Sequence, residues 1–298
     1  MDNYLIFRTD RIGDFFISSI LIKNIIENDS KANIVIVASE KNYSYIKQCS
    51  YVNQVYLLKN NFLDKFLLTL KLLRKHFHSI VIHDNKNRSK LISFFLFSNN
   101  KINISVINYL SHIDIIKKIL KKINFNYLSE SLNILDYKKN HNNNEDYIQF
   151  HFDEKWIHKD YIDKYTKIEP SFEELLIFIK SVIKKTGKKL KITTGIKTPL
   201  SLKLINELPK NNMYQIYENL NFFQLEKITL NSSLLISCHG SISHIASAKK
   251  INQIDIIDKS YNYKRWTEHF RNYDYLYREK FNTLSKQIIK KLDNFTKS

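Results

Sequence analysis

The chain has 298 residues, of which 43% are hydrophobic and 13% aromatic, and its formal net charge is +18 at pH 7. This length suits two domains, and this apolar content excludes an intrinsically disordered chain. The two cysteines, Cys49 and Cys238, lie far apart in the sequence, which excludes a disulfide framework and a cysteine-based zinc site.

In the first half, short β-branched runs alternate with longer amphipathic segments, a pattern typical of βαβ units and parallel sheets. We predict strands over 3–8, 33–38, 54–58, 79–83 and 102–106. We predict helices over 14–28, 41–48, 62–76, 87–97 and 110–123. The polar stretch 138–145 has almost nothing to bury and is therefore the predicted linker.

The same pattern restarts after the linker. Strands are predicted over 147–152, 189–194, 213–217, 233–238 and 253–257, and helices over 171–186, 200–207, 222–231 and 241–249. An amphipathic helix over 281–295 either stays in the second domain or packs back on the first. The sequence thus predicts an α/β protein with two doubly wound domains, 1–140 and 146–280, facing a central cleft.

Two strand-to-helix junctions carry the candidate chemistry, because open α/β sheets bind ligands at the carboxyl ends of their strands. In the first, Gly13 permits a tight turn and Asp14 follows at the start of a helix. Asp14 is either a general base acting on a hydroxyl or an N-terminal helix cap, and its position alone favours neither. Arg8 and Arg11 are both candidates for binding phosphate. Arg8 lies within the predicted strand, so its alternative role is structural.

The second junction, from Ser237 to His244, opens a helix with small hydroxyl residues and free amides, which suits a phosphate group. His244 either reaches the same anion or is a core histidine. A third cluster, His151 to Trp156, follows the first strand of the second half. Its Lys155 either neutralises a diphosphate or lies solvated in a loop. We do not expect a metal at His151, Asp153 and Glu154, because neighbouring acidic residues point in different directions.

These segments resemble the heptosyltransferase family of bacterial glycosyltransferases, glycosyltransferase family 9, which has the GT-B fold. The stretch from Arg8 to Asp14 matches the family's amino-terminal motif, and that from Asp153 to Trp156 its lysine-tryptophan segment. The stretch from Leu235 to Ala248 matches the donor-binding signature. Weaker likenesses occur at 49–55 and 84–89.

The resemblance implies an inverting transfer of heptose or a related sugar from a nucleotide-sugar, with an ADP-sugar favoured, to a lipopolysaccharide or surface glycan. It implies that Asp14 is the catalytic base and that no metal is required. The donor and its phosphates would contact Lys155, His239, Gly240, Ser241, Ser243 and His244. The acceptor side would be supported by Arg11, Gly13 and Arg88.

The chain departs from the family's pattern at the donor signature, where His239-Gly240-Ser241 replaces the usual Asp-Thr-Gly. The segment 196–199 also lacks the glutamate expected near the nucleoside. A non-catalytic relative that binds a nucleotide or glycan without transfer is therefore the alternative function.

The expected location is cytoplasmic and peripheral, at the inner face of the bacterial cytoplasmic membrane. The sequence lacks the basic amino-terminal region with which a signal peptide begins, so we expect no signal peptide. No apolar run reaches the ~18–20 residues of a membrane span. The lysine excess attracts anionic surfaces. A lipid-linked acceptor and an anionic membrane are the expected partners. Nucleic acid is not expected, because no nucleic-acid-binding motif is found.

Overall fold

The computed structural model describes residues 2–103, 110–130, 146–157, 168–195, 197–209 and 212–295. Their contacts divide into two compact units. The first unit holds the described residues up to 130 together with Lys264–His269, and the second holds those from 146 to Tyr263 and from Phe270 onward. The predicted linker at 138–145 lies outside the described residues.

The first unit is a parallel sheet with helices on both faces. Its strands are β1 (Asn3–Arg8), β2 (Asn33–Ala38), β3 (Gln54–Leu57), β4 (His76–Ile82) and β5 (Phe97–Asn103), in the order β3-β2-β1-β4-β5. Its helices are α1 (Ile12–Asn28), α2 (Tyr43–Ile46), α3 (Phe62–Leu73), α4 (Asn87–Phe95) and α5 (His112–Lys122). The inner strands are continuous apolar runs because both of their faces are covered.

The second unit has six parallel strands: β6 (Tyr147–His151), β7 (Lys189–Thr193), β8 (Tyr214–Tyr217), β9 (Leu234–Cys238), β10 (Asn252–Ile257) and β11 (Tyr273–Tyr277). Their order is β8-β7-β6-β9-β10-β11. Around them lie α6 (Phe172–Thr186), α7 (Leu200–Asn206), α8 (Phe222–Leu230), α9 (Ser241–Ala248) and α11 (Phe281–Lys291). Two 3₁₀ turns cover Glu154–Trp156 and Leu292–Asn294. The short helix α10 (Lys264–Thr267) groups with the first unit.

Each sheet reverses its strand order once, between β1 and β4 in the first unit and between β6 and β9 in the second. At such a switch point the chains leave the two central strands in opposite directions and open a crevice at their carboxyl ends. The two predicted junctions both lie at these switch points. The prediction of two doubly wound α/β domains is therefore confirmed.

Several predicted elements differ from the structure at the sheet edges. The strand predicted at 102–106 begins earlier in the structure, because β5 begins at Phe97 and α4 already ends at Phe95; residues 104–106 of that prediction lie outside the described residues. The strand β11 was missed. Both are edge strands in which exposed and half-buried residues mix, so neither reads as an apolar run. The helix predicted at 41–48 shrinks to the single turn Tyr43–Ile46.

The carboxyl-terminal helix α11 stays in the second unit. Its apolar side chains Phe281, Leu284 and Ile288 are buried in that unit's core, where Phe281 packs edge-to-face on Phe178. This apolar face is therefore used within the second unit. Within the described residues, no helix is long and apolar enough to cross a bilayer.

Candidate active site

The first switch point is braced by hydrogen bonds between the ends of β1 and β4. The Thr9 hydroxyl donates to Asp84 Oδ2 at 2.5 Å, and the Thr9 amide donates to the same oxygen at 3.3 Å. The amides of His83 and Asp84 both donate to the carbonyl of Phe7 at 3.1 Å. Asp84 thus ties the two strand ends together and fixes the loop that leads into α1.

Arg8 has a structural place rather than a phosphate-binding one. It is buried, and its guanidinium donates to Ser18 Oγ at 2.6 Å, to Asp10 Oδ2 at 2.9 Å and to the His83 carbonyl at 3.0 Å. Burial, with Arg8 close by, holds the pKa of His83 well below its ordinary value. The His83 ring is therefore neutral and shares a hydrogen bond with Ser18 Oγ.

Asp14 caps the start of α1, which is one of the two roles that the sequence left open. The helix α1 begins at Ile12, so Gly13 lies within the first turn rather than in a turn before it. Asp14 Oδ2 accepts the Arg11 amide at 3.1 Å, which caps the helix and fixes the carboxylate. The side chain is half-buried, and no described group donates to its other oxygen, Oδ1. A carboxylate held in this way is free to accept a proton at Oδ1.

Asp10 is a second carboxylate at this switch point, and it is not among the site residues predicted from the sequence. Burial raises its pKa to about 6, and the charges of Asp14 and Asp84 add to that effect while Arg8 opposes it. Its Oδ1 is buried without a hydrogen-bond partner in the described structure. The spacing of Asp10 and Asp14 across one turn, in a motif that also holds Arg8, was the available signal.

Arg88 supports the same loop from α4. Its Nη2 donates to the Thr9 carbonyl at 3.0 Å and to Thr9 Oγ1 at 2.9 Å, while Nη1 donates to Asn60 Oδ1 at 2.6 Å. Arg88 therefore positions the β1–α1 loop. Arg11, the cap residue of α1, is exposed.

At the second switch point, three ionisable side chains lie close together at the end of β6. Lys155 Nζ contacts Asp153 Oδ2 at 2.6 Å, and His151 Nε2 lies 3.4 Å from the same oxygen. Burial alone would raise the pKa of Asp153, but Lys155 and His151 outweigh it and hold that pKa well below its usual range. Asp153 also accepts the Lys155 amide and so caps the 3₁₀ turn. The lysine is oriented by the fold rather than solvated in a loop.

Gly240, at the start of α9, makes room for this lysine. A Cβ atom at Gly240 would lie 2.5 Å from Lys155 Nζ and 3.0 Å from Cε. The backbone of Gly240 is extended, a conformation open to any residue, and its lack of a side chain leaves the space that the end of the Lys155 side chain occupies. The ammonium group therefore lies against the first turn of α9. There the Gly240 amide donates to Ser243 Oγ and the Ser243 amide to the Gly240 carbonyl, which leaves the amides of Ser241 and Ile242 for a ligand. An ammonium and free amides together suit an anionic ligand.

His239 forms a pair with a buried acid on the neighbouring strand. Its Nδ1 lies 2.6 Å from Asp255 Oδ2, and Asp255 is fully buried in β10. Asp255 also accepts from Ser243 Oγ at 2.9 Å and from the Tyr273 hydroxyl at 3.3 Å. The imidazole is thus fixed in orientation, and its Nε2 has no partner among the described residues.

The other predicted donor contacts divide between the helix start and the interior. Ser241 is the first residue of α9 and is half-buried. Ser243 is fully buried, and its hydroxyl donates to Asp255 and accepts the Gly240 amide at 3.3 Å, so it braces the turn instead of facing a ligand. His244 is buried, with its ring 5.1 Å from that of Phe270.

The two tryptophans are packing residues. Trp156 is fully buried among Phe150, Phe152 and Phe281. Trp266 packs on His112, with ring centroids 3.9 Å apart. Burial, with nearby Arg8, lowers the pKa of His112 to about 3, so this ring is neutral.

A cavity of about 510 Å³ lies in the second unit beyond the end of β7. Charged side chains of both signs line it: Glu169, Lys197, Lys203 and Glu218. Glu218, which follows β8, lines the same cavity as residues 197–199. An acidic side chain is therefore present close to the segment in which the sequence has no glutamate. The described residues contain no group of three or more His, Cys, Asp or Glu side chains arranged to hold a metal ion.

Comparison with known proteins identifies this architecture. No protein-family model matches the sequence, and no curated protein sequence matches it. Among solved structures, a family 9 glycosyltransferase from Veillonella parvula matches 99% of this chain and 97% of its own, with a TM-score of 0.77 at 10% identity. The E. coli ADP-heptose lipopolysaccharide heptosyltransferase II matches 99% and 98%, with a TM-score of 0.73 at 12% identity.

The fold is GT-B. The E. coli heptosyltransferase WaaC bound to ADP matches 99% of both chains, with a TM-score of 0.69 at 13% identity. A UDP-GlcNAc 2-epimerase from Methanocaldococcus jannaschii matches with a TM-score of 0.58 at 10% identity. The GT-B fold expected from the motifs is therefore confirmed, and similar structures include members of the family that those motifs resemble.

Proposed function

We propose that this chain is an inverting glycosyltransferase of family 9 that moves heptose or a related sugar from a nucleotide-sugar to a lipopolysaccharide or other surface glycan. The observation that carries the proposal is the placement of Lys155 against the first turn of α9. Similar solved structures hold ADP and an ADP-heptose analogue, which favours an ADP-sugar as the donor.

In this proposal the donor diphosphate binds the second unit. Its negative charge is met by the Lys155 ammonium and by the leading amides of α9. His239 presents Nε2 to the donor in place of the family's aspartate, because Asp255 holds Nδ1. As the sugar leaves, charge grows on the diphosphate, and cations and amides that are already in place stabilise it without reorganising.

Asp14 serves as the general base. Its Oδ1 takes the proton of the acceptor hydroxyl while that oxygen forms a bond to the anomeric carbon of the donor. The bond from the anomeric carbon to the diphosphate oxygen breaks, and the nucleoside diphosphate leaves with the electron pair. Attack from the face opposite the leaving group inverts the anomeric configuration. The Arg11 amide keeps Asp14 in place throughout.

The proposal is tested by titrating the purified protein with ADP, UDP, GDP and CMP in a thermal-shift assay, followed by transfer assays with sugar conjugates of the nucleotide that binds. We expect a selective stabilisation by ADP and release of ADP from an ADP-sugar when a glycan acceptor is added. Stabilisation by ADP without any transfer would support the non-catalytic alternative. No stabilisation by any nucleotide would contradict the proposed donor site.

A further inference from the structure

Two helices of the first unit expose a large apolar surface, here called the α3–α4 face. On α3, Phe62 is 84% exposed and Leu63 is 65% exposed; on α4, Phe94 is 75% exposed. Six more large apolar side chains in the same stretch are exposed: Phe66, Leu67, Leu70, Leu91, Phe95 and Phe97. These nine are more than half of the seventeen exposed large apolar residues described.

The exposed residues of α3 form a continuous row. Phe62, Phe66 and Leu70 follow one another at four-residue spacing, which places them on one side of the helix. The opposite side is already used, because Leu68 and Leu72 are buried in the core against the sheet. A surface helix usually has one apolar face, and this second row is not part of the buried core described for the unit.

The face extends from one helix to the next. The helices α3 and α4 contact each other, and β5 follows α4 with Phe97 exposed at the sheet edge. On α4, Phe94 and Phe95 pack edge-to-face, with ring centroids 5.4 Å apart. Contiguous exposed apolar areas of this kind mark sites that bind a partner or a membrane.

Basic side chains lie on and beside the elements that carry the apolar rows, and Lys101 Nζ donates to the Phe94 carbonyl at 3.0 Å. Lys71, Arg74, Lys86 and Lys101 are exposed on or beside α3, α4 and β5. Asp64 is the one acid on these three elements, and Lys59 lies 3.8 Å from it. An apolar centre with a cationic rim suits a surface that offers anionic headgroups above an acyl layer. A second copy of the chain would instead bring two cationic rims together.

We propose that the α3–α4 face docks on an anionic lipid bilayer, with Phe62, Phe66 and Phe94 entering the boundary between headgroups and acyl chains. The rim lysines and Arg74 contact the headgroup phosphates. This surface lies outside the donor and base residues, so membrane binding is independent of the proposed transfer reaction. For an enzyme with a lipid-linked acceptor, it would hold the protein where that acceptor resides.

Vesicle flotation tests the proposal. The full chain is mixed with vesicles of phosphatidylcholine alone or with added phosphatidylglycerol, and the floated fraction is measured. We expect binding to the anionic vesicles that weakens as salt is raised. The Phe62→Ser/Phe94→Ser variant should bind about tenfold more weakly. The matched control, Leu128→Ser/Ile177→Ser, removes two exposed apolar residues elsewhere and should bind as the unchanged protein does.

A second measurement reports insertion directly. A Phe94→Cys variant carries an environment-sensitive label, since Cys49 and Cys238 are both buried. Its emission should shift to shorter wavelength with anionic vesicles. The proposal is overturned if the protein does not float, if the Phe62→Ser/Phe94→Ser variant floats like the unchanged protein, or if the label stays in water. It is equally overturned if sedimentation equilibrium shows that the unchanged protein is a dimer, that the Phe62→Ser/Phe94→Ser variant is a monomer, and that adding vesicles does not dissociate the dimer.

Discussion

The two switch points share one strand topology but differ in the charged group that each presents, a carboxylate in the first unit and an ammonium in the second. In the first unit, Asp10, Asp14 and Asp84 lie near the end of β1, where Arg8 pairs with Asp10. In the second, Lys155 lies against the amides of α9, and the acids Asp153 and Asp255 are buried beneath it and beneath His239. In the proposed function, the first of these crevices takes a proton and the second holds an anion, because the fold presents a carboxylate in one and an ammonium in the other.

The largest expected effect comes from the first switch point. Asp14→Asn keeps the helix cap, because the amide oxygen still accepts from Arg11, but removes the base. We expect turnover to fall by ~10²–10⁴ with nucleotide binding unchanged. The matched control is Asp114→Asn, which changes an acid at the same helix position of α5. Transfer assays in which both variants lose activity alike would remove Asp14 from its proposed role.

At the second switch point, Lys155→Met should destabilise the protein by about 3–5 kcal/mol, because it leaves Asp153 buried with one cationic partner fewer. Denaturant unfolding measures the loss. The double variant Asp153→Asn/Lys155→Met removes the stranded charge and should recover much of the stability, yet still fail to bind the nucleotide. Recovery of both would mean that Lys155 has only a structural role.

The pair on β10 should show a smaller effect. Asp255→Asn weakens the contacts with His239 and Ser243, and we expect a loss of about 1.5–3 kcal/mol in the free energy of unfolding. Asp146→Asn, whose side chain is 59% exposed beside Lys188, is the control and should cost less than about 1 kcal/mol. Equal losses for the two variants would contradict a buried network at the donor side.

The Asp10 carboxyl makes the stability of the first unit depend on pH. Because its pKa is raised to about 6 in the folded protein, from an ordinary value of 3.8, it binds its proton more tightly when folded. Its contribution to stability is therefore full below about pH 4 and is lost as the pH rises through about 6. In Asp10→Asn this loss should disappear from urea unfolding curves recorded between pH 4 and 7. An unchanged pH profile would contradict the raised pKa.

The smallest effect is expected at Gly240. Gly240→Ala places a methyl group where Lys155 Nζ lies, but a flexible side chain can move aside. We expect nucleotide affinity to fall several-fold while the melting temperature changes little. Gly187→Ala is the contrasting variant: nothing lies within 4 Å of its Cβ, but its φ of 68° penalises alanine, so stability should fall and affinity should not.

The central strands and the place of both junctions were predictable because buried parallel strands are continuous apolar runs. The edge strands β5 and β11 were not, since half-exposed strands mix polar and apolar residues. The role of Asp255 was missed because it lies inside an apolar strand. An acid in such a run is itself a signal of a buried partner, here His239. The hydroxyl of Ser243 donates to Asp255, and this contact could not be predicted from the position of Ser243 in the helix alone.

The division of labour between the switch points is tested most directly by calorimetric titration of ADP into three proteins: the unchanged chain, Asp14→Asn, and Asp153→Asn/Lys155→Met. The account predicts equal affinity for the first two and loss of binding in the third. Loss of binding in Asp14→Asn, with binding retained by the double variant, would contradict it.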